Sequence, residues 1–391
     1  MMSQTSKREL VAEVRARYTL GKRTAKGQIL DELVATTGYH RKYAIWLLNH
    51  PPTRPARLRG PRPPRYGGQV RAALEKVWRA ANCICSKRLV PVLGPYVEAL
   101  ERHGELQLDA ATRQLLLALS PATADRLLRR ARQGLRPHGL ATTKPGTLLK
   151  QSIPIRTFSQ WDDAKPGFVE VDLVAHCGAA TRGEYLNSLD MLDVKTRWVE
   201  LAALLNRSQA TVSAAIADCR RRLPYALLGL DSDNGSEFIN HDLKRYCEQA
   251  HITFTRCRPY KKNDQAYVEQ KNWTAVRQVV GYDRFEGQAA CAALTALYVP
   301  LRVYLNFFQP VMVLVEKHRD GAKVTKRYDP AKTPYQRVLD SPEVAEEVKT
   351  RLRTIYPALN PAALLRQIEA RQQALWKLAV RPDRGTMSEN A

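Results

Sequence analysis

Apolar residues recur at helical spacing through most of the first third of the chain and switch to strand spacing after Trp161. In KGQILDELVATTGYHRKYAIWLLN, residues 26–49, Ile29, Leu30, Leu33 and Val34 share one helical face. The pattern breaks at Thr37-Gly38 and resumes with Tyr43, Ala44, Leu47 and Leu48. Two short helices joined through a Gly turn form the helix-turn-helix pattern, which a generic helical hairpin shares. DAATRQLLLALSPATADRLLRRAR, residues 109–132, repeats it, with Ser120 capping a helix entered through Pro121 and studded by Arg126, Arg129, Arg130 and Arg132.

Past Trp161, PGFVEVDLVAHCG and EYLNSLDMLDVKTRWVELAALL are rich in Val, Leu and aromatics and predict three strands. Then come a helix (SQATVSAAIADCRRRL), a short apolar strand (YALLGLD), a helix (NHDLKRYCEQAH), a strand (ITFTRC) and a helix (NDQAYVEQKNWTAVRQVVG). The order β-β-β-α-β-α-β-α predicts a mixed sheet flanked by helices. VMVLVEKHRDGAKVTKRYD predicts a hairpin around Asp320-Gly321, followed by TPYQRVL and an amphipathic helical tail.

Composition sharpens these boundaries. PPTRPARLRGPRPPRYGG, residues 51–68, is extended by proline and charged by arginine, and reads as a linker. The stretch 138–160 reads as a second linker. The expected organisation is therefore a helix-turn-helix module at 1–50, a linker at 51–68 and a second helical DNA-binding module at 69–137. After the linker at 138–160 come an α/β core at 161–290 and a C-terminal domain of hairpin and helices at 291–391. Of the net charge of +24, most lies in residues 1–160, which hold 29 Lys and Arg against 10 Asp and Glu. A basic excess of this size suits phosphate backbones and points to a nucleic-acid partner. Within the helical modules, Arg41, Lys42, Arg126, Arg129 and Arg130 are the candidate contacts. Seven scattered cysteines fit free thiols in a reducing compartment. The absence of an 18-residue apolar run predicts no membrane span.

Three carboxylates sit where chemistry could use them. Asp172 lies inside the apolar strand FVEVDLVAH, where an uncompensated charge costs several kcal/mol, on the order of a lost buried hydrogen bond or more. Asp233 follows a strand and precedes the sharp Asn234-Gly235 turn. Glu269 stands in a helix opening near Asn263-Asp264, and 35 residues separate it from Asp233. Oxygen ligands on separate elements suit magnesium, which keeps waters and leaves room for phosphate oxygens. Asp231 shares a face with Asp233 by the period of two and is an alternative ligand, as are Asp190 and Asp193, although Asp193 reads better as a turn residue. Glu237 is expected in the first turn of the following helix, His176 on the Asp172 face, and Trp273 in the core, with a base-stacking platform as its alternative. Lys261 and Lys262, ahead of Glu269, are candidate DNA contacts.

FVEVDLVAH, LDSDNGSEF and RPYKKNDQAYVEQKN together resemble the catalytic core of the retroviral-integrase and insertion-sequence transposase superfamily, and YDPAKTPYQRVL resembles bacterial transposases of this type. The resemblance covers about residues 160–290. It implies an RNase H-like fold and an Asp-Asp-Glu triad, hence Asp172, Asp233 and Glu269 as catalytic residues holding Mg2+ (or Mn2+). It implies a DNA transposase that binds terminal inverted repeats, cleaves at 3′ ends and joins them to target DNA. It further implies a homo-oligomer on DNA, in the bacterial cytoplasm and on the nucleoid when DNA-bound. The His-His-Cys-Cys zinc module of retroviral integrases is missing before residue 160, and Arg277 is one position out of register with a basic residue common in the family. A catalytically silent DNA-binding regulator and an RNase H-like nuclease are the alternative readings.

Overall fold

β-branched and large apolar residues alternate with acids along β1 (Phe168–Ala175), β2 (Asn187–Asp193) and β3 (Val199–Leu204), and these strands pair antiparallel in chain order. β4 (Gly229–Ser232) returns beside β1 and β5 (Thr253–Arg256) beside β4, both parallel. The result is a five-stranded mixed sheet of order β3-β2-β1-β4-β5. The computed structural model describes residues 2–50, 65–132, 165–233, 235, 237–238, 241–256, 268 and 271–380. Residues 51–64 of the expected linker 51–68 and all of the expected linker 138–160 lie outside the described residues.

The chain divides into two units, Met1–Arg65 and Tyr66–Ala391. In the first, α1 (Gln4–Leu20), α2 (Arg23–Thr37) and α3 (Arg41–Asn49) close around Val11, Tyr18, Ile29, Leu30, Leu33, Ala44 and Leu48. Gly38 ends α2 in the left-handed region at φ +68°, which a residue without Cβ adopts freely, and its N–H donates to the Val34 carbonyl. His40 then caps α3 by accepting from the Lys42 N–H.

In the second unit, α4 (Gly68–Ala80), α5 (Ser86–Leu89), α6 (Leu93–Arg102), α7 (Ala110–Leu117) and α8 (Pro121–Leu128) precede the sheet. Asp109 and Ser120 cap α7 and α8 through the Thr112 and Thr123 N–H groups. α9 (Gln209–Arg222) packs on the sheet, and α10 (His241–Gln249) links β4 to β5. A π-helical segment, Asn272–Arg277, runs on into Gln278–Val280. Beyond it come α11 (Gly287–Phe307), the hairpin β6 (Leu314–Asp320) and β7 (Lys323–Tyr328), then α12 (Pro334–Asp340), α13 (Glu346–Ile355) and α14 (Pro361–Trp376). One hydrophobic cluster runs from Val70 on α4 through the sheet to Leu375 on α14.

Several local expectations change. α8 ends at Leu128, so Arg129 and Arg130 stand in the turn after it. Arg132 is structural: it donates to Asp125 (2.6 Å) and Ser86 (2.9 Å) and lies over the Trp78 ring. Glu237 precedes α10 in a turn, and Trp273 is 43% exposed rather than core. The hairpin turns at Gly321-Ala322, one residue later than expected, with Gly321 at φ +55°. α11 was not anticipated. Length and composition alone would let it cross a membrane, a test that a core helix also passes. Here Ala290, Leu294, Leu297, Leu301 and Leu305 bury it in the core.

α11 also closes the sheet edge. Asn306 accepts from the Val199 N–H and donates to the Val199 carbonyl, each at 2.8 Å, so its amide pairs the outer side of β3 as a strand would. Asn306→Ala leaves a buried donor and acceptor unmet and is expected to destabilise by about 2–4 kcal/mol. A urea melt with an unchanged slope and a lowered midpoint would show it; an unchanged midpoint would contradict it.

Candidate active site

Acids gather on one face of the sheet because the strand period puts them there. Glu170 and Asp172 are two apart on β1; Asp190 of β2 is the register partner of Asp172, and Asp231 of β4 is the partner of Glu170. Asp233 follows Asp231 by two, one residue beyond the Val171–Ser232 pair, which puts it beside Asp172 in sequence register at the end of β4. Glu170, Asp190 and Asp231 are fully buried, and Asp172 and Asp233 are half-buried.

Each carboxyl group but one is held by hydrogen bonds. Glu170 Oε2 accepts from the Val268 N–H at 2.8 Å. Asp172 Oδ1 accepts from the Leu173 N–H at 2.8 Å and Oδ2 from Asn272 Nδ2 at 2.6 Å. Asp231 Oδ1 accepts from Thr255 Oγ1 at 2.5 Å, and Asp233 Oδ1 from the Gly235 N–H at 2.8 Å. Burial pushes Asp233 up to about 6, against the Gly235 N–H and with the charge of Glu237. Asp190 is the exception: both its oxygens are buried and accept no hydrogen bond among the described residues. Burial holds its carboxyl up at about 8, opposed by the Lys271 ammonium and reinforced by Asp172. Lys271 is itself buried, and burial brings it down to about 8 against the opposing charge of Asp190.

The π-helical segment brings Asn272 to Asp172, and Arg277 on it donates to the Ala175 carbonyl (3.0 Å) at the end of β1. π-Helical turns interrupt regular packing and are concentrated at functional positions. Glu269 lies outside the described residues, as do Lys261 and Lys262. His176 lies on the acid side of β1, buried, with Nε2 2.6 Å from Ser188 Oγ, which in turn bonds Tyr298. Burial, then Arg277, brings His176 down to about 3, so it is neutral near pH 7. Asp193 holds a turn: it accepts from Thr196 N and Oγ1 and from the Gly167 N–H, all at 2.7 Å. Glu170, Asn272 and Lys271 escaped the sequence reading. Glu170 was findable, since it precedes Asp172 by two; no pattern marked the other two.

The donor set is all carboxylate oxygen, which suits a hard divalent ion, and the unbonded oxygens of Asp190 lie beside Asp172. Among the described residues no group of three or more His, Cys, Asp or Glu is arranged to hold a metal. The third expected ligand, Glu269, is not one of them.

The expected DNA contacts differ in their freedom. Arg41 is ion-paired with Asp31, whereas Lys42 is exposed at the start of α3. Arg126 donates to Thr123 Oγ1 (3.0 Å) from an exposed position, and Arg129 and Arg130 are exposed.

Residues 162–262 match the family described as Integrase core domain. The uncharacterized protein y4rM of Sinorhizobium fredii (strain NBRC 101917 / NGR234) is 43% identical over 336 residues, covering 86% of this chain and 96% of its own. The chain belongs to the integrase-core family. It is an integrase- and transposase-like protein of the DDE class. A crystal structure of the catalytic core domain of BIV integrase also matches, covering 44% of this chain and 93% of that one at 18% identity and a TM-score of 0.28, too low to carry the site across. In this integrase-core chain the acid face spans β2, β1 and β4, the centre of the sheet.

The position of Asp190 has a consequence for stability. Burial holds its folded-state pKa above the ordinary carboxylate value of about 3.9, so the unfolded chain loses this proton first as pH rises. Stability is therefore lost as pH rises from about 4 through the raised folded-state value. Asp190→Asn removes that loss, and its melting temperature relative to the parent is expected to rise across this window. A difference independent of pH would contradict the assignment.

Proposed function

We propose that the chain is a DNA transposase that binds the ends of a mobile element, cleaves them at the 3′ strand and transfers them into target DNA. The observation that supports it is Asp172 on β1 beside Asp233, which directly follows the adjacent parallel strand β4, with the segment just after Glu269 bonded to Asp172 through Asn272. Asp172, Asp233 and Glu269 are the proposed catalytic carboxylates. Magnesium (or manganese) held by them would supply Lewis acidity and neutralise charge on the scissile phosphate. The chain's own groups do the rest. Asn272 fixes one oxygen of Asp172, and the Gly235 N–H fixes one of Asp233, so each carboxylate presents its remaining lone pairs in a set direction.

End recognition falls to the helical parts, which we propose as helix-turn-helix modules at 1–50 and 69–137, flanking the linkers and preceding a core at 161–290 and a C-terminal domain at 291–391. Lys42 on α3 and Arg126, Arg129 and Arg130 at and after α8, all exposed, are the proposed phosphate and base contacts; Arg41 serves only if it leaves Asp31. Lys261 and Lys262 are proposed contacts near the chemistry. Joining two ends requires more than one copy, so the working form is a homo-oligomer on DNA in the cytoplasm.

Asp172→Asn, Asp233→Asn and Glu269→Gln are each expected to reduce strand joining to background in a magnesium-containing assay while leaving duplex binding intact. Joining by any one of them would remove that residue from the triad. Magnesium-dependent nicking without joining would mark a nuclease, and binding without either a silent regulator.

A further inference from the structure

Among the described residues β6 and β7 form a sheet of two strands. Every described side chain from Val315 to Tyr328 is exposed, on both faces. Among the described residues no core lies beneath this ribbon, and an isolated hairpin of two strands is marginal in water. Its base, by contrast, is firmly tied. Val313 and Asp329 exchange hydrogen bonds (2.6 and 2.9 Å), Val311 and Lys332 bridge, and Arg337 pairs with Asp329 at 2.8 Å while donating to the Val311 carbonyl. A free ribbon on a fixed base is built to reach something outside the chain.

Its residues say what. From 314 to 328 the chain carries Lys317, Arg319, Lys323, Lys326 and Arg327, with His318, against Glu316 and Asp320. The backbone register sets Lys317 opposite Lys326 and Arg319 opposite Val324. Glu316 and Arg327 are also partners and form a 2.9 Å ion pair that pins the register. Between the charges, Val315, Val324 and Tyr328 are 55%, 42% and 44% exposed. Basic groups interleaved with β-branched and aromatic side chains suit a groove walled by phosphates and floored by base edges. A two-stranded ribbon fits the DNA major groove, which is about 12 Å wide. Seven residues at about 3.4 Å each reach about 24 Å along it.

We propose that the β6–β7 ribbon is a duplex-DNA contact that enters the major groove, separate from the helices of the first third and from the carboxylate face. Phosphates flanking the groove take Lys317, Arg319 and Lys326, and the apolar side chains meet the base edges. The contact needs no catalysis, so it stands or falls independently of the Asp-Asp-Glu assignment.

The test uses the full chain carrying Lys317→Gln, Arg319→Gln and Lys326→Gln together, titrated onto a fluorescein-labelled duplex at several salt concentrations. Circular dichroism and an unchanged melting temperature establish that the rest is folded; a second variant, Lys326→Gln alone, tests the ribbon with a smaller change. The triple variant is expected to bind at least about tenfold more weakly near 100 mM salt, with the slope of log affinity against log salt reduced by about 2–3. The single variant is expected to reduce the slope by about 1. An unchanged affinity and slope would overturn the proposal. So would an equal loss of affinity for polyglutamate, which would make the ribbon a general anion patch.

Discussion

Like charges on one face of a sheet repel, and a buried face makes the repulsion expensive. Glu170, Asp172, Asp190 and Asp231 leave the same face of three adjacent strands, and Asp233 follows at the end of β4. The local structure is arranged to make that tolerable. Backbone N–H groups of Leu173, Gly235 and Val268, the Thr255 hydroxyl and the Asn272 amide each take one carboxylate oxygen. Lys271 supplies a buried positive charge where none of these reaches, next to Asp190. For fold stability alone, apolar residues of similar volume would serve at least as well. The acids are explained by what they can hold.

The remainder of the second unit keeps this face in place. On β3, Glu200 is fully buried yet accepts from Trp198 Nε1 (3.1 Å) and Arg222 Nε (2.9 Å), with Arg302 of α11 at 3.4 Å. That cluster ties α9 and α11 to the edge strand, and Asn306 adds the two backbone bonds that finish it. His176, Ser188 and Tyr298 form a second polar tie between the β1 end, β2 and α11. These buried ties hold the strand ends and α11 in register, which is what a site of fixed carboxylate geometry needs.

Much of this was legible in the chain. The eight-element order of the core follows from the switch between period two and period 3.6, and the cap at Ser120 sits where a short polar residue precedes Pro121 at the helix start. Asp172 stood out because it interrupts an apolar strand. α11 did not, because Pro300 interrupts its run and its apolar residues cover more than one face, so no amphipathic stripe marks it. Trp273 was misplaced because an i+4 spacing assumes a regular α-helix, whereas the backbone there is π-helical. The Asp172–Asp190 pairing was invisible for a different reason: cross-strand register depends on the turn between β1 and β2, which local periodicity does not determine.

The claim that the acid face exists to bind a divalent ion has a direct measure in thermal unfolding of the full-length protein with and without manganese. An ion present at a hundred times its dissociation constant stabilises the folded state by about 2.7 kcal/mol. The parent is expected to melt higher with manganese, and a chain carrying both Asp172→Asn and Asp233→Asn to show no rise while still folding. An equal rise in both proteins, or none in either, would contradict the claim.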